Sequence, residues 1–140
     1  MKFWQEIRQS LLLSWLGIPR RTIACPISNL YFSNPKYNKL KGLSSIDRVY
    51  SFEPVPEEVT SEQKKNLFGA QACIWTEWTK DSVKMEWQMM PRIAALAEIQ
   101  WTEPANKNIQ DFLKRLKHQL DIYELYGYNY KEDIHEALDK

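Results

Sequence analysis

Apolar positions come in short runs over the first half of the chain and at helical spacing over the second. Leu11 to Trp15 and Thr22 to Ile27 are runs of strand length, the second closed by Pro26 and a Ser28-Asn29 turn signal. Phe68 to Trp75 is a third strand candidate, with Gly69 and small neighbours permitting close backbone approach. From about Asn34 to Glu58 the chain is rich in Pro, Ser, Asn and Lys and reads as a long loop, of the kind that is functional or disordered. A short helix is expected from Ser61, whose hydroxyl can cap the N–H groups ahead of Gln63 and Lys64.

Val83, Trp87, Met90, Ala94, Ala97 and Trp101 fall three and four apart, which predicts a helix over Ser82 to Trp101 with one broad apolar face. Pro91 predicts a kink or break near Met90. A second amphipathic helix is expected from about Asn106 to Tyr126. Its buried stripe is Ile109, Phe112, Leu113, Leu116, Leu120 and Tyr123, and Lys107, Lys114, Lys117 and Asp121 face water. Gly127 ends it as a C-cap, and the charged last dozen residues read as a loosely held tail or a short terminal helix. Strands alternating with helices give an α/β arrangement. Parallel strands need a crossover of a dozen or so residues, and the interval from Trp15 to Thr22 is about half that. Three strands with one crossover missing do not close a domain.

Composition narrows the function classes. The chain has 140 residues, 44% hydrophobic and 26% charged, which is ordinary for a soluble globular protein with one sizeable core. Nineteen basic against eighteen acidic residues provide no basic stripe for nucleic acid. Glu6 interrupts the apolar N-terminal stretch and no small-residue cleavage site follows it, so no signal peptide is read there. No run approaches the roughly 20 apolar residues of a membrane span. Cys25 and Cys73 lack a metal-ligand spacing; two buried thiols are the default and a bridge stays open. His118 lies on a polar helix face and His135 in the charged C-terminal stretch, so neither suggests a metal site, and no cofactor is implied. Met85, Met89 and Met90 read as helix packing.

The candidate chemistry lies in the aromatics, which make up 13% of the chain with six Trp and seven Tyr. Their flat apolar faces suit core packing and equally suit stacking on a sugar ring. Trp75 and Glu77 sit two residues apart where a strand is expected to end. At the carboxyl end of a barrel strand such a pair points into the cleft, the Trp as an apolar wall and the carboxylate as acceptor for hydroxyls. On the residues alone, a buried Trp beside a surface Glu is an equal alternative.

Four segments in order resemble one family. They are CPISNLYF from Cys25 ahead of VYSFEPVP from Val49, then GAQACIWTEW from Gly69, MPRIAALAEIQW from Met90, and GYNY from Gly127. Together they are similar to the catalytic domain of family 20 glycoside hydrolases, the β-N-acetylhexosaminidases, over about Thr22 to Tyr130. The resemblance implies an α/β fold of a particular kind, a partial TIM (β/α)8 barrel comprising the last strands and helices, with C-terminal helices. Thr22–Tyr31 would be the seventh strand and Phe68–Trp75 the eighth. Residues 1–130 would be the C-terminal portion of the barrel, with 1–21 an irregular, compressed match and 131–140 a charged tail.

The resemblance also implies a chemistry in which the substrate's own acetamido oxygen is the nucleophile. Tyr31 matches the tyrosine that hydrogen-bonds the acetamido group; the alternative is a core Tyr at a strand end. Trp75 matches a wall of the acetamido pocket and Glu77 the carboxylate that binds hydroxyls of the terminal sugar. LSWLG, with Trp15, and FWQEI, with Trp4, resemble segments of the sixth and fifth strands that add further walls. Their spacings are shorter than the family's, which makes deletion and accident both open explanations. The family's acidic residue two positions after the tyrosine is Ser33 here, so one contact to the sugar hydroxyls is weakened or lost. No His-x-Gly-Gly-Asp-Glu-like segment occurs in the sequence, so the general acid and its Asp partner are absent from it.

The implied partners are glycans bearing N-acetylhexosamine and the missing N-terminal half of the barrel, without nucleic acid or a membrane span. Strand edges left open in a partial barrel predict poor solubility of the chain alone. Two other expectations are a non-catalytic module that binds amino sugars or assembles with a half-barrel, and a truncated product without function of its own. The compartment is not legible, although parent enzymes of this class commonly carry an export signal.

Overall fold

The computed structural model describes residues 21–55 and 59–139, so the expected Leu11–Trp15 strand, Trp4 and Trp15 lie outside the described residues. In chain order the elements are β1 (Thr22–Ala24), α1 (Ile27–Leu30), α2 (Pro35–Asn38), α3 (Leu43–Tyr50), α4 (Ser61–Lys64), β2 (Leu67–Ala70), α5 (Ser82–Met89), α6 (Arg92–Trp101), α7 (Ile109–Leu125) and α8 (Asp133–Leu138). Short 3-10 turns stand at Thr76–Trp78 and Pro104–Asn106. The fold is α/β. Two compact units divide the chain, the described part of the first being residues 21–24, 53–55 and 59–71, and the rest falling in the second.

In the first unit β1 and β2 pair in parallel, Thr22 opposite Leu67 and Ala24 opposite Ala70, with an irregularity between the two. The ladder ends are closed by Thr22 N–H to the Asn66 carbonyl (2.7 Å) and Gln71 N–H to the Ala24 carbonyl (3.0 Å). Both strands are shorter than their apolar runs. Pro26 has no N–H to give a ladder, and the chain turns helical at Ile27. Before α4 the cap is Thr60 rather than Ser61. Its hydroxyl accepts from Gln63 N–H at 3.3 Å while the Gln63 side chain accepts from Thr60 N–H at 3.0 Å, a reciprocal capping box. Ile23 and Phe68 remain largely exposed, and the Arg21 guanidinium lies over the Phe68 ring.

The second unit holds most of the core. The stretch expected as a loop contains α2 and α3. In α3, Ile46, Val49 and Tyr50 repeat at helical spacing and are buried, and α3 packs against α6 and α8. Gly42 caps α3 at φ 50, and a Cβ there would lie 2.9 Å from the Ala137 side chain, so both backbone and space call for glycine.

The helix expected over Ser82 to Trp101 breaks at Met90, whose backbone is extended. The break shifts the helical phase, so the expected single apolar face does not form. Val83 and Trp101 are exposed, and α6 instead buries Arg92, Ala95, Leu96 and Ile99. In α7 the expected stripe is the buried one at Phe112, Leu116, Leu120 and Tyr123. The Asn108 side chain caps its start by accepting from Gln110 and Asp111 N–H. Gly127, at φ 68, ends it: Gly127 N–H reaches Glu124 and Tyr128 N–H reaches Tyr123. Arg115 of α7 forks onto Glu98 of α6 at 2.6 and 3.1 Å. The C-terminal stretch is the short helix α8, held by buried Ile134 and by Asp133 accepting from Gly42 N–H at 2.8 Å. No helix among the described residues is long and apolar enough to cross a membrane.

Candidate functional site

Tyr31 is placed by one parallel bridge. Cys73 N–H donates to the Leu30 carbonyl and Phe32 N–H to the Cys73 carbonyl, both at 2.8 Å, pairing Tyr31 with Cys73. Leu30 and Phe32 on either side are fully buried, while Tyr31 between them is only half-buried. Tyr31 (φ −86, ψ 89) is where the chain leaves α1, and of these three residues it is the one that keeps access to solvent.

Trp75 follows Cys73 in extended conformation (φ −109, ψ 134) and starts the Thr76–Trp78 turn. Its ring lies 6.3 Å from that of Tyr31, tilted by 37°. Trp75 is 53% exposed, a large apolar area to leave open to solvent. Glu77 is exposed on the turn itself. Of the expected site residues, then, the structure brings Tyr31 and Trp75 side by side and sets Glu77 two residues further along the same segment.

Ser33 is where sequence comparison flagged a departure, and its geometry accounts for its use. The side chain is 1% exposed and its hydroxyl accepts from Trp75 N–H at 3.0 Å. It ties the Tyr31 segment to the Trp75 segment.

Beneath lie two polar residues that the apolar pattern concealed. Gln88 is fully buried; its Nε2 donates to the Trp78 carbonyl at 3.1 Å and its Oε1 accepts from the Thr79 hydroxyl at 2.6 Å. Arg92, the first residue of α6 beyond the break at Met90, lies over the Phe32 ring and donates to the carbonyls of Phe32 and Gln88 and to Asn38 Oδ1. Burial pushes its pKa down to about 10, which still leaves it charged at neutral pH. The one signal for Arg92 in the sequence was a cation heading an otherwise apolar helix; Gln88 gave none.

Cys25 and Cys73 are free thiols with sulfurs 3.0 Å apart, one donating to the other. Burial, with the hydrogen bond to Cys73 second, pushes Cys25 up to about 12. The folded state thus holds the Cys25 proton more tightly than the unfolded chain, and the associated stability is present below the ordinary thiol pKa and lost as pH rises toward 12. Since the thiolate is the nucleophile, a chromogenic aryl disulfide at pH 8 is expected to react at least about tenfold more slowly with Cys25 in the folded chain than in urea. Once Cys25 reacts, the adjacent Cys73 should displace the aryl group. Mass spectrometry is then expected to show a protein two hydrogens lighter, and a stable aryl adduct would contradict the pairing.

Among the described residues no group of three or more His, Cys, Asp and Glu could hold a metal. A cleft of ≈ 1170 Å³, lined by Lys84, Trp87, Tyr128 and Lys131 among others, shares none of Tyr31, Trp75 and Glu77.

The model of the glycosyl hydrolase family 20 catalytic domain matches residues 1–104, which include Tyr31, Trp75 and Glu77. A β-hexosaminidase of Porphyromonas gingivalis is 34% identical over 89 residues, 64% of this chain and 12% of the relative. The exo-β-N-acetylglucosaminidase of Vibrio harveyi, solved in complex with N-acetylglucosamine, superposes with a TM-score of 0.56 at 32% identity, covering 63% of this chain and 14% of that one. The β-N-acetylhexosaminidase of Streptomyces coelicolor shares the fold at a TM-score of 0.71 and 18% identity, covering 86% of this chain and 25% of that one. The chain therefore spans between an eighth and a quarter of these relatives' lengths.

Proposed function

The chain belongs to glycosyl hydrolase family 20, and on that footing we propose that it supplies the last strand–helix units of a (β/α)8 barrel and one side of a pocket for terminal β-linked N-acetylhexosamine. The observation that carries this is the pairing of the Tyr31 and Trp75 rings, 6.3 Å apart on adjacent parallel segments. The Trp75 face is the wall against which the sugar stacks. The Tyr31 hydroxyl donates to the acetamido group and holds its carbonyl oxygen against the anomeric carbon, where it acts as the nucleophile. Glu77, exposed on the following turn, accepts from hydroxyls of the same sugar. With Ser33 engaged by Trp75 N–H, Glu77 is the carboxylate left for that task on these two segments.

The Asp–Glu pair that orients the acetamide and protonates the leaving oxygen comes from residues outside this sequence. Trp4 and Trp15 are proposed as further walls on resemblance alone. The open half of the barrel is the surface for the remaining units, whether on a longer chain or a second one, and exposed Ile23 and Phe68 are the apolar side chains of the strands that such a partner would cover.

Two measurements on the purified 140-residue chain test this. An aryl N-acetyl-β-glucosaminide is expected to show no turnover above buffer, and saturation-transfer NMR is expected to show N-acetylglucosamine binding in preference to glucose. Hydrolysis by the pure chain would sink the assignment of the acid to other residues. Equal signals from the two sugars would remove Tyr31 from the acetamido group.

A further inference from the structure

Resting on the pocket proposed above, we infer that Gln88 is a positioning residue for it, its buried carboxamide fixing the turn that carries Trp75 and Glu77. None of the side chains of the Thr76–Trp78 turn is buried, and Trp75 before it is also exposed, so packing does not hold this segment. Hydrogen bonds do. At the near end Trp75 N–H is held by Ser33. At the far end Gln88 holds one backbone and one side-chain group, donating to the Trp78 carbonyl and accepting from the Thr79 hydroxyl. That hydroxyl also lies 3.2 Å from the Trp75 carbonyl, so the amide is coupled to the residue that forms the pocket wall.

The location of Gln88 argues for a specific task. At 0% exposure a carboxamide is costly to bury unless both its groups are paired, and an apolar side chain of equal length would fill the same space without that cost. Both partners of the amide lie on the turn. The carbonyl of Gln88 meanwhile accepts from Arg92, which also holds Phe32, the neighbour of Tyr31. Buried polar groups on either side of the break at Met90 thereby grip both segments of the pocket. Glu77 sits inside the gripped turn, and among the described residues its side chain has no hydrogen bond or ion pair of its own.

Gln88→Met keeps the volume and removes both hydrogen bonds. In the 140-residue chain it is expected to weaken N-acetylglucosamine binding by about fivefold or more, since a misplacement of the order of 1 Å is felt strongly in an oriented site. Hydrogen exchange is expected to quicken at the Trp78 and Thr79 amides, while the amides of Leu116 and Leu120 in α7 keep their protection. An unchanged affinity overturns the inference. So does loss of protection in α7 along with the turn, which would make Gln88 a general stability residue. Failure of the unmutated chain to bind the sugar is a different result, because it does not depend on residue 88; it overturns the pocket, and this inference with it.

Discussion

Replacing Arg92 by methionine is expected to lower the stability of the second unit by about 2–4 kcal/mol, read as a drop in the urea midpoint with an unchanged slope. The side chain is 3% exposed, and its donors meet the carbonyls of Phe32 and Gln88 and Asn38 Oδ1. Methionine of similar length fills the space but leaves these acceptors buried and unpaired, and each such acceptor costs roughly 1–3 kcal/mol. A credit works in the opposite direction. The cation itself is expensive to bury, as its lowered pKa shows, and its removal returns part of that cost. The acceptor losses should win, because two buried carbonyls are stranded at once and the Phe32 ring also loses its stacked guanidinium. Arg92→Lys should fall between, since an ammonium can stand in for the single Nη2 that makes these contacts but loses the planar stack on the Phe32 ring. A methionine variant as stable as the parent would show that the buried cation cancels its own hydrogen bonds.

What could be seen in the sequence depended on how local the determining interaction is. Gly127 and the α7 stripe were legible because a helix end and a helix face are written within a few residues. Pro91 announced the break, but not its consequence: the backbone at Met90 shifts the helical phase, and side chains expected on one face are divided between solvent and core. The short helices α2 and α3 were hidden in a stretch whose Pro, Ser, Asn and Lys content resembles loop, because three buried apolar positions in α3 suffice to fix a helix once α6 and α8 cover them. At the proposed site, Tyr31, Trp75 and Glu77 are assigned through family resemblance. Gln88 and the partners of Arg92 were not legible, since Arg92 reaches residues 54 and 60 positions away and no periodicity encodes such a contact. Ser33 looked like a lost ligand contact, and only its distance to Trp75 N–H shows how the residue is used.

The largest effect on function is expected from removing one oxygen atom, Tyr31→Phe, in an assembly where a longer chain or a second polypeptide supplies the Asp–Glu pair. Among the described residues the Tyr31 hydroxyl makes no hydrogen bond, and the ring is only half-buried. The substitution should therefore leave the fold and the ring contact with Trp75 in place. The hydroxyl is proposed to act on the acetamido group as charge develops there, and a single preorganised donor of that kind is worth about 10²–10³ in kcat. The loss should fall mainly on kcat, because the sugar would still stack on Trp75 and bind through Glu77; a rise in KM alone would instead mean that the hydroxyl contributes equally to ground state and transition state. Glu77→Gln gives the contrast. It keeps an acceptor but removes the charge, and its effect should appear mainly in KM, since the sugar hydroxyls are bound throughout the reaction. If Tyr31→Phe retains kcat within about threefold, the tyrosine is an aromatic wall like Trp75, and orientation of the acetamide must come from the residues outside this sequence.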